Sequence, residues 1–242
     1  MTKLFKYKVL RQLRLLLPVA CLSLALTTLW LVTGRMEQAV MQIVCHVLLA
    51  ASILTCTLPM LASLLMAWMD FYNTFFSSRA YLARTLPLSK GQLLTTTLLA
   101  DFFCLALSMA WCTGILAFMI RAAVSAAEFG MILEHTSSFL PLFVGGSFLQ
   151  LSAYALCGTT GMLLGFRKYR QKLAWSLGFG ILIYILGMLV MLPVIWPFTA
   201  EDIVTPTIIK QLLTAIVLVY VAFDGLLIAA DYGLVKGRLD VE

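Results

Sequence analysis

The chain has 242 residues, of which 62% are hydrophobic and 12% charged, with a formal net charge of +6. A water-soluble domain is roughly half apolar and about a quarter charged, and it still exposes much of its surface. This composition therefore excludes an ordinary soluble globule and requires a solvent that tolerates apolar surface, which is lipid.

The first 14 residues carry Lys3, Lys6, Lys8, Arg11 and Arg14. Phe5, Val9 and Leu13 recur every four residues, with Lys3, Arg11 and Arg14 on the other face. This predicts an amphipathic helix on the inner membrane surface, broken at Pro18 before the first span. A helix needs about 20 apolar residues to cross the hydrocarbon core. Spans are predicted at about 15–33, 40–68, 93–120, 139–166, 173–196 and 208–234. No charge lies between Gln38 and Met69. The runs lack the alternation of a membrane barrel, so they read as helices with every backbone group bonded internally. The fold class is an all-α polytopic membrane protein, a single transmembrane domain over residues 1–242.

Orientation follows from Lys and Arg. With the N-terminus inside, the inner segments hold fourteen of the 17 basic residues, and only Arg35, Arg121 and Lys210 lie outside. Six spans then leave both termini cytoplasmic. No cleavable signal peptide is expected, because the first apolar run is too long and no small-residue cleavage site follows it. The six cysteines lie in apolar runs without a C-x-x-C pair and read as small packing residues, not metal ligands. The sequence has no G-x-x-x-x-G-K-[ST] phosphate loop. It also has no Ser/His/Asp set, so no catalytic site, cofactor or metal is expected in this chain, and no nucleic-acid partner.

The inner segment 70–92 is the most informative. Phe71, Tyr72, Phe75, Phe76, Tyr81, Leu82 and Leu86 make it too apolar for a solvated linker, while Arg79, Arg84 and Lys90 hold it at the inner face. Pro87 forces Leu86 to be extended, and Ser89 to Gln92 has the spacing of a capping box that starts the third span. The reading is a short amphipathic helix parallel to the membrane, then a sharp turn into the bilayer. The alternative is a loop that simply lies on the lipid interface.

This stretch, Tyr81-Leu82-Ala83-Arg84-Thr85-Leu86-Pro87-Leu88-Ser89, resembles the ABC-2 type permease family of bacterial ABC exporters. Many members carry an aromatic run, a tyrosine-leucine pair, then threonine-leucine-proline, an aliphatic residue and serine ahead of the third span. Relatives often have an acidic-acidic-glycine stretch before the tyrosine; here it is Ser77-Ser78-Arg79. The resemblance implies that Phe71, Tyr72, Phe75, Phe76, Tyr81, Leu82, Arg84, Leu86 and Pro87 belong to a coupling helix that docks on a separate ATPase. Residues 1–14 would be an elbow helix. It further implies two ATPase copies carrying ATP and Mg, a second permease subunit (identical or homologous), membrane lipid as surroundings, and a multi-pass place in the bacterial cell membrane. The implied substrate is amphipathic or hydrophobic, such as a peptide, antibiotic or lipid, with self-protection against an antimicrobial peptide or drug as the sharper expectation. The competing functional class is a non-transporting membrane scaffold or assembly protein.

Two carboxylates sit within apolar runs, Asp101 and Asp224. From Lys90 and Lys236 both lie roughly 16–18 Å along their helices at about 1.5 Å per residue. They either line a substrate path or share a proton as a pair, or else each is neutral or bonded to a neighbouring hydroxyl or basic side chain. Asp231, nearer the end, reads as interfacial. His46 and Gln150 read as packing residues. Gly161 and Gly165 have the small-x-x-x-small spacing of a close helix contact.

Overall fold

The computed structural model describes residues 2–34, 39–77, 88–166, 171–199 and 205–237. Every regular element among them is a helix: α1 (Thr2–Thr33), α2 (Ala39–Phe75), α3 (Lys90–Ala123), α4 (Ala126–Thr136), α5 (Leu140–Gly165), α6 (Lys172–Thr199) and α7 (Pro206–Gly237). All but α4 are long and apolar enough to cross a bilayer. The chain has the architecture of a multi-pass membrane protein.

Two boundaries differ from the sequence reading. The helix predicted over residues 1–14 is not a separate element, because α1 continues through Pro18. A proline removes one backbone bond, at about 3 kcal/mol. Ending the helix would strand several N–H and C=O groups in an apolar setting, which is worse. Pro59 in α2 and Pro193 and Pro197 in α6 are carried the same way. Second, the span predicted to end at 68 runs on to Phe75. No Gly or Pro interrupts Ala67–Phe75, and Thr74 folds its hydroxyl back onto the Asp70 carbonyl at 2.7 Å. Phe71, Tyr72 and Phe75 therefore form the last turns of α2 instead of opening a separate helix. Tyr81, Leu82, Arg84, Leu86 and Pro87 lie outside the described residues.

The start of α3 is as expected. Gln92 N–H donates to Ser89 Oγ at 3.2 Å, and Ser89 N–H donates to Gln92 Oε1 at 3.1 Å, a reciprocal capping box. The stretch between the third and fourth predicted spans contains α4. Ser125 and Glu128 cap it in the same way.

The helices belong to two compact units. One comprises Thr2–Met66 and Ala100–His135. Here Phe5, Val9, Leu13 and Leu16 of α1 pack with Ala62 and Met66 of α2 and with Ala100 and Cys104 of α3. A second cluster joins Trp30, Leu49, Cys56 and Met60 to Cys112, Ile115 and Met119. The thiols of Cys56 and Cys112 lie 3.4 Å apart as free cysteines, and of the six only Cys21 is exposed.

The other unit comprises Ala67–Leu99 and Thr136–Glu242. In it α5 packs on both α6 and α7. The glycine spacing on α5 is a close contact, as its pattern predicts. A Cβ on Gly161 would sit 2.6 Å from the Ser176 carbonyl oxygen and 2.7 Å from Gly180 N of α6. Ser176 and Gly180 repeat the same four-residue spacing, so two backbones meet along a seam of small residues.

Candidate functional site

Polar groups at membrane depth are costly and end up facing protein or water, so they mark where the helices do something specific. Two such places stand out among the described residues, one in each unit.

In the unit containing α5–α7, Ser152 and Thr159 stand seven residues apart on α5, and Asp224 and Asp231 stand seven apart on α7. Seven residues make about two turns and return to the same face. Ser152 Oγ donates to Asp224 Oδ2. Thr159 Oγ1 donates to Asp231 Oδ2 at 2.8 Å, and Thr160 Oγ1 donates to Asp231 Oδ1 at 2.6 Å. The pairs run in the same order along both helices, so α5 and α7 are parallel. Asp231 is fully buried, its carboxyl covered by the α5 threonines, and Val235 one turn further on is buried as well. Asp224 is buried too, and its Oδ1 has no hydrogen-bond partner among the described residues.

Beside this ladder lies a cavity of about 240 Å³, lined by Ala153, Tyr184, Met188, Met191, Tyr220 and Phe223 among others. Its lining is apolar apart from the tyrosine hydroxyls. Gln150, read from sequence as packing, donates to Tyr154 OH at 2.8 Å, and Tyr154 OH lies 3.4 Å from Tyr184 OH. A short polar chain therefore reaches a residue of the cavity wall.

In the unit containing α1, Asp101 of α3 is buried against α1. Gln12 Nε2 donates to its Oδ1 at 2.6 Å. Lys8 is also buried, and its charge is felt at Asp101. Lys8 thus stands apart from the other basic residues expected at the inner surface: Lys3, Lys6 and Arg14 are exposed and Arg11 is half-buried. Further along, Trp111 Nε1 donates to Ser23 Oγ at 3.0 Å, a second polar tie between α3 and α1. Asp101 and Asp224 each have a partner of their own on a neighbouring helix, an amide and a hydroxyl respectively.

The described part of the aromatic segment is well packed within its unit. Phe71 is fully buried. Phe76 stacks on Phe166, just beyond α5, with centroids 4.2 Å apart and planes at 19°. Tyr72 touches the same ring at 5.6 Å. Trp68 donates its indole N–H to the Ala155 carbonyl at 3.2 Å, over Gly158, where any side chain would collide with the indole. The end of α2 and the end of α5 are therefore tied by rings and one hydrogen bond.

Sequence reasoning missed Gln12, Ser152, Thr159, Thr160 and Phe166. The seven-residue echo between Ser152/Thr159 and Asp224/Asp231 was the one signal that pointed to two of them, Ser152 and Thr159. Among the described residues, no group of three or more His, Cys, Asp or Glu side chains could share a metal ion. No protein-family model and no curated protein matches the chain.

Proposed function

We propose that this chain is the membrane-spanning permease subunit of an ATP-driven exporter in a bacterial cell membrane, with both termini inside and ATP hydrolysed on a separate ATPase subunit. Two permease subunits and two ATPases would complete it. The observation that carries the reading is the aromatic and basic segment 70–92, with Thr85-Leu86-Pro87-Leu88-Ser89 ahead of α3. A docking segment does no chemistry. It must be stiff and joined to the helices it moves, and the stacking of Phe76 on Phe166 supports such a joint. Aromatic side chains give contact area at low entropy cost. The apolar cavity beside α5 and α7 supports an amphipathic or hydrophobic substrate, such as a peptide, antibiotic or lipid.

The experiment is purification of the full chain from its native host in mild detergent, with identification of what accompanies it. A nucleotide-binding ATPase is expected, released by Tyr81→Asp or Leu86→Asp. Recovery of the chain without any ATPase overturns the exporter reading and leaves a membrane scaffold as the better one.

A further inference from the structure

Gln12 and Asp101 are each 2% exposed and are joined by one hydrogen bond, from Gln12 Nε2 to Asp101 Oδ1 at 2.6 Å. The two remaining oxygens of the pair, Gln12 Oε1 and Asp101 Oδ2, have no hydrogen-bond partner among the described residues. Both are acceptors when the carboxyl is ionised. Buried acceptors are nearly always met, since an unmet one forfeits its hydration for nothing.

A carboxamide and a carboxylic acid are planar groups of matching outline. Edge to edge, they close a ring of two hydrogen bonds, N–H to one oxygen and O–H to the other. A single proton on Asp101 Oδ2 gives Gln12 Oε1 its donor and turns Oδ2 from an orphan acceptor into a donor. Turning the amide over leads to the same place. Gln12 Oε1 would then stand 2.6 Å from Asp101 Oδ1, a separation two oxygens tolerate only with a proton between them.

The surroundings do not replace that proton. From α1, the cations Lys8 and Arg11 face the carboxyl, and from α3 the Cys104 thiol. From α2 the cluster meets Ala62 and Met66, which are apolar. The two cations favour a carboxylate through space, yet neither supplies a hydrogen to Oδ2.

We propose that Asp101 and Gln12 form a proton-binding site, in which Asp101 is held as the neutral acid and closes a two-bond ring that fastens the first half of α1 to α3. The proton is taken from hydronium, leaving water, and goes to Oδ2. The second bond of the ring exists only while it is bound. The site stands whether or not the chain serves an exporter.

The test uses the full chain in lipid nanodiscs and reads carboxyl carbonyl stretches by infrared spectroscopy at neutral pH. The difference between wild type and Asp101→Asn is expected to show one protonated-carboxyl band, shifted down in heavy water, and no carboxylate bands. Gln12→Leu keeps the acid but removes its amide partner, and is expected to move that band to higher frequency. Carboxylate bands in place of the acid band overturn the proposal. If Asp101→Asn does not fold, wild type against Gln12→Leu decides: a shifted acid band supports the site, and an unchanged acid region overturns it.

Discussion

Thr160 donates its hydroxyl to Asp231 at 2.6 Å, which sets the register of α5 against α7. With Thr159 on the other oxygen, the carboxyl is met on both sides by one helix. A slip by one residue would turn the hydroxyls away and leave a buried carboxyl bare. Replacing both threonines by valine keeps the shape and removes both donors. The expected loss is on the order of 2 kcal/mol, seen as a lowered Tm in detergent, whereas Thr160→Ser stays within about 0.5 kcal/mol. An unchanged Tm in the double variant would show that the ladder does not hold the helices.

At Gly161 α5 meets the backbone of α6, and its missing side chain is what permits it. Gly161→Val is expected to force the backbones apart and abolish folded, monodisperse protein in size-exclusion chromatography. Gly114 provides the contrast, since no neighbouring side chain or helix among the described residues comes within 4 Å of its would-be Cβ. Gly114→Ala is expected to be neutral or to stabilise α3 by about 0.5–1 kcal/mol, because alanine loses less chain entropy in a helix.

Glu128 caps α4 from an exposed position outside the spans. The Ser125 hydroxyl, and then the Ser125 N–H, hold its carboxyl below the usual glutamate range. A carboxyl whose value falls on folding contributes stability above the unfolded value and loses it as pH drops through the folded one. Acidification is therefore expected to fray the first turn of α4, read from backbone chemical shifts of Ala126 to Glu128. Ser125→Ala should flatten that response; a response that survives it would place its origin elsewhere.

The Phe76–Phe166 stack separates docking from coupling. Under the exporter reading, Phe166→Ala leaves segment 81–87 intact, so the ATPase still co-purifies. Substrate-stimulated ATP hydrolysis in proteoliposomes is expected to fall roughly two- to tenfold, the equivalent of the ~0.5–1.5 kcal/mol that such ring pairs contribute. Loss of co-purification instead would place Phe166 in the docking face.

The sequence by itself determined the membrane architecture. Six apolar runs are a local property, and the helices that form from them match to within a few residues except at the ends of α1 and α2. Ser89 and Gln92, and Gly161 and Gly165, were equally legible, because a cap and a small-residue seam are written in spacings of three and four. Only the tertiary structure decided which polar groups meet. Gln12 and Asp101 are far apart in sequence, as are Thr160 and Asp231, and no periodicity within one helix names its partner on another. For the same reason Lys8 read as one more inner-surface cation, although packing of α1 on α3 buries it. Pro18 read as a break because proline disfavours helix locally. In apolar surroundings the unbroken backbone ladder outweighs that preference, and α1 runs through it.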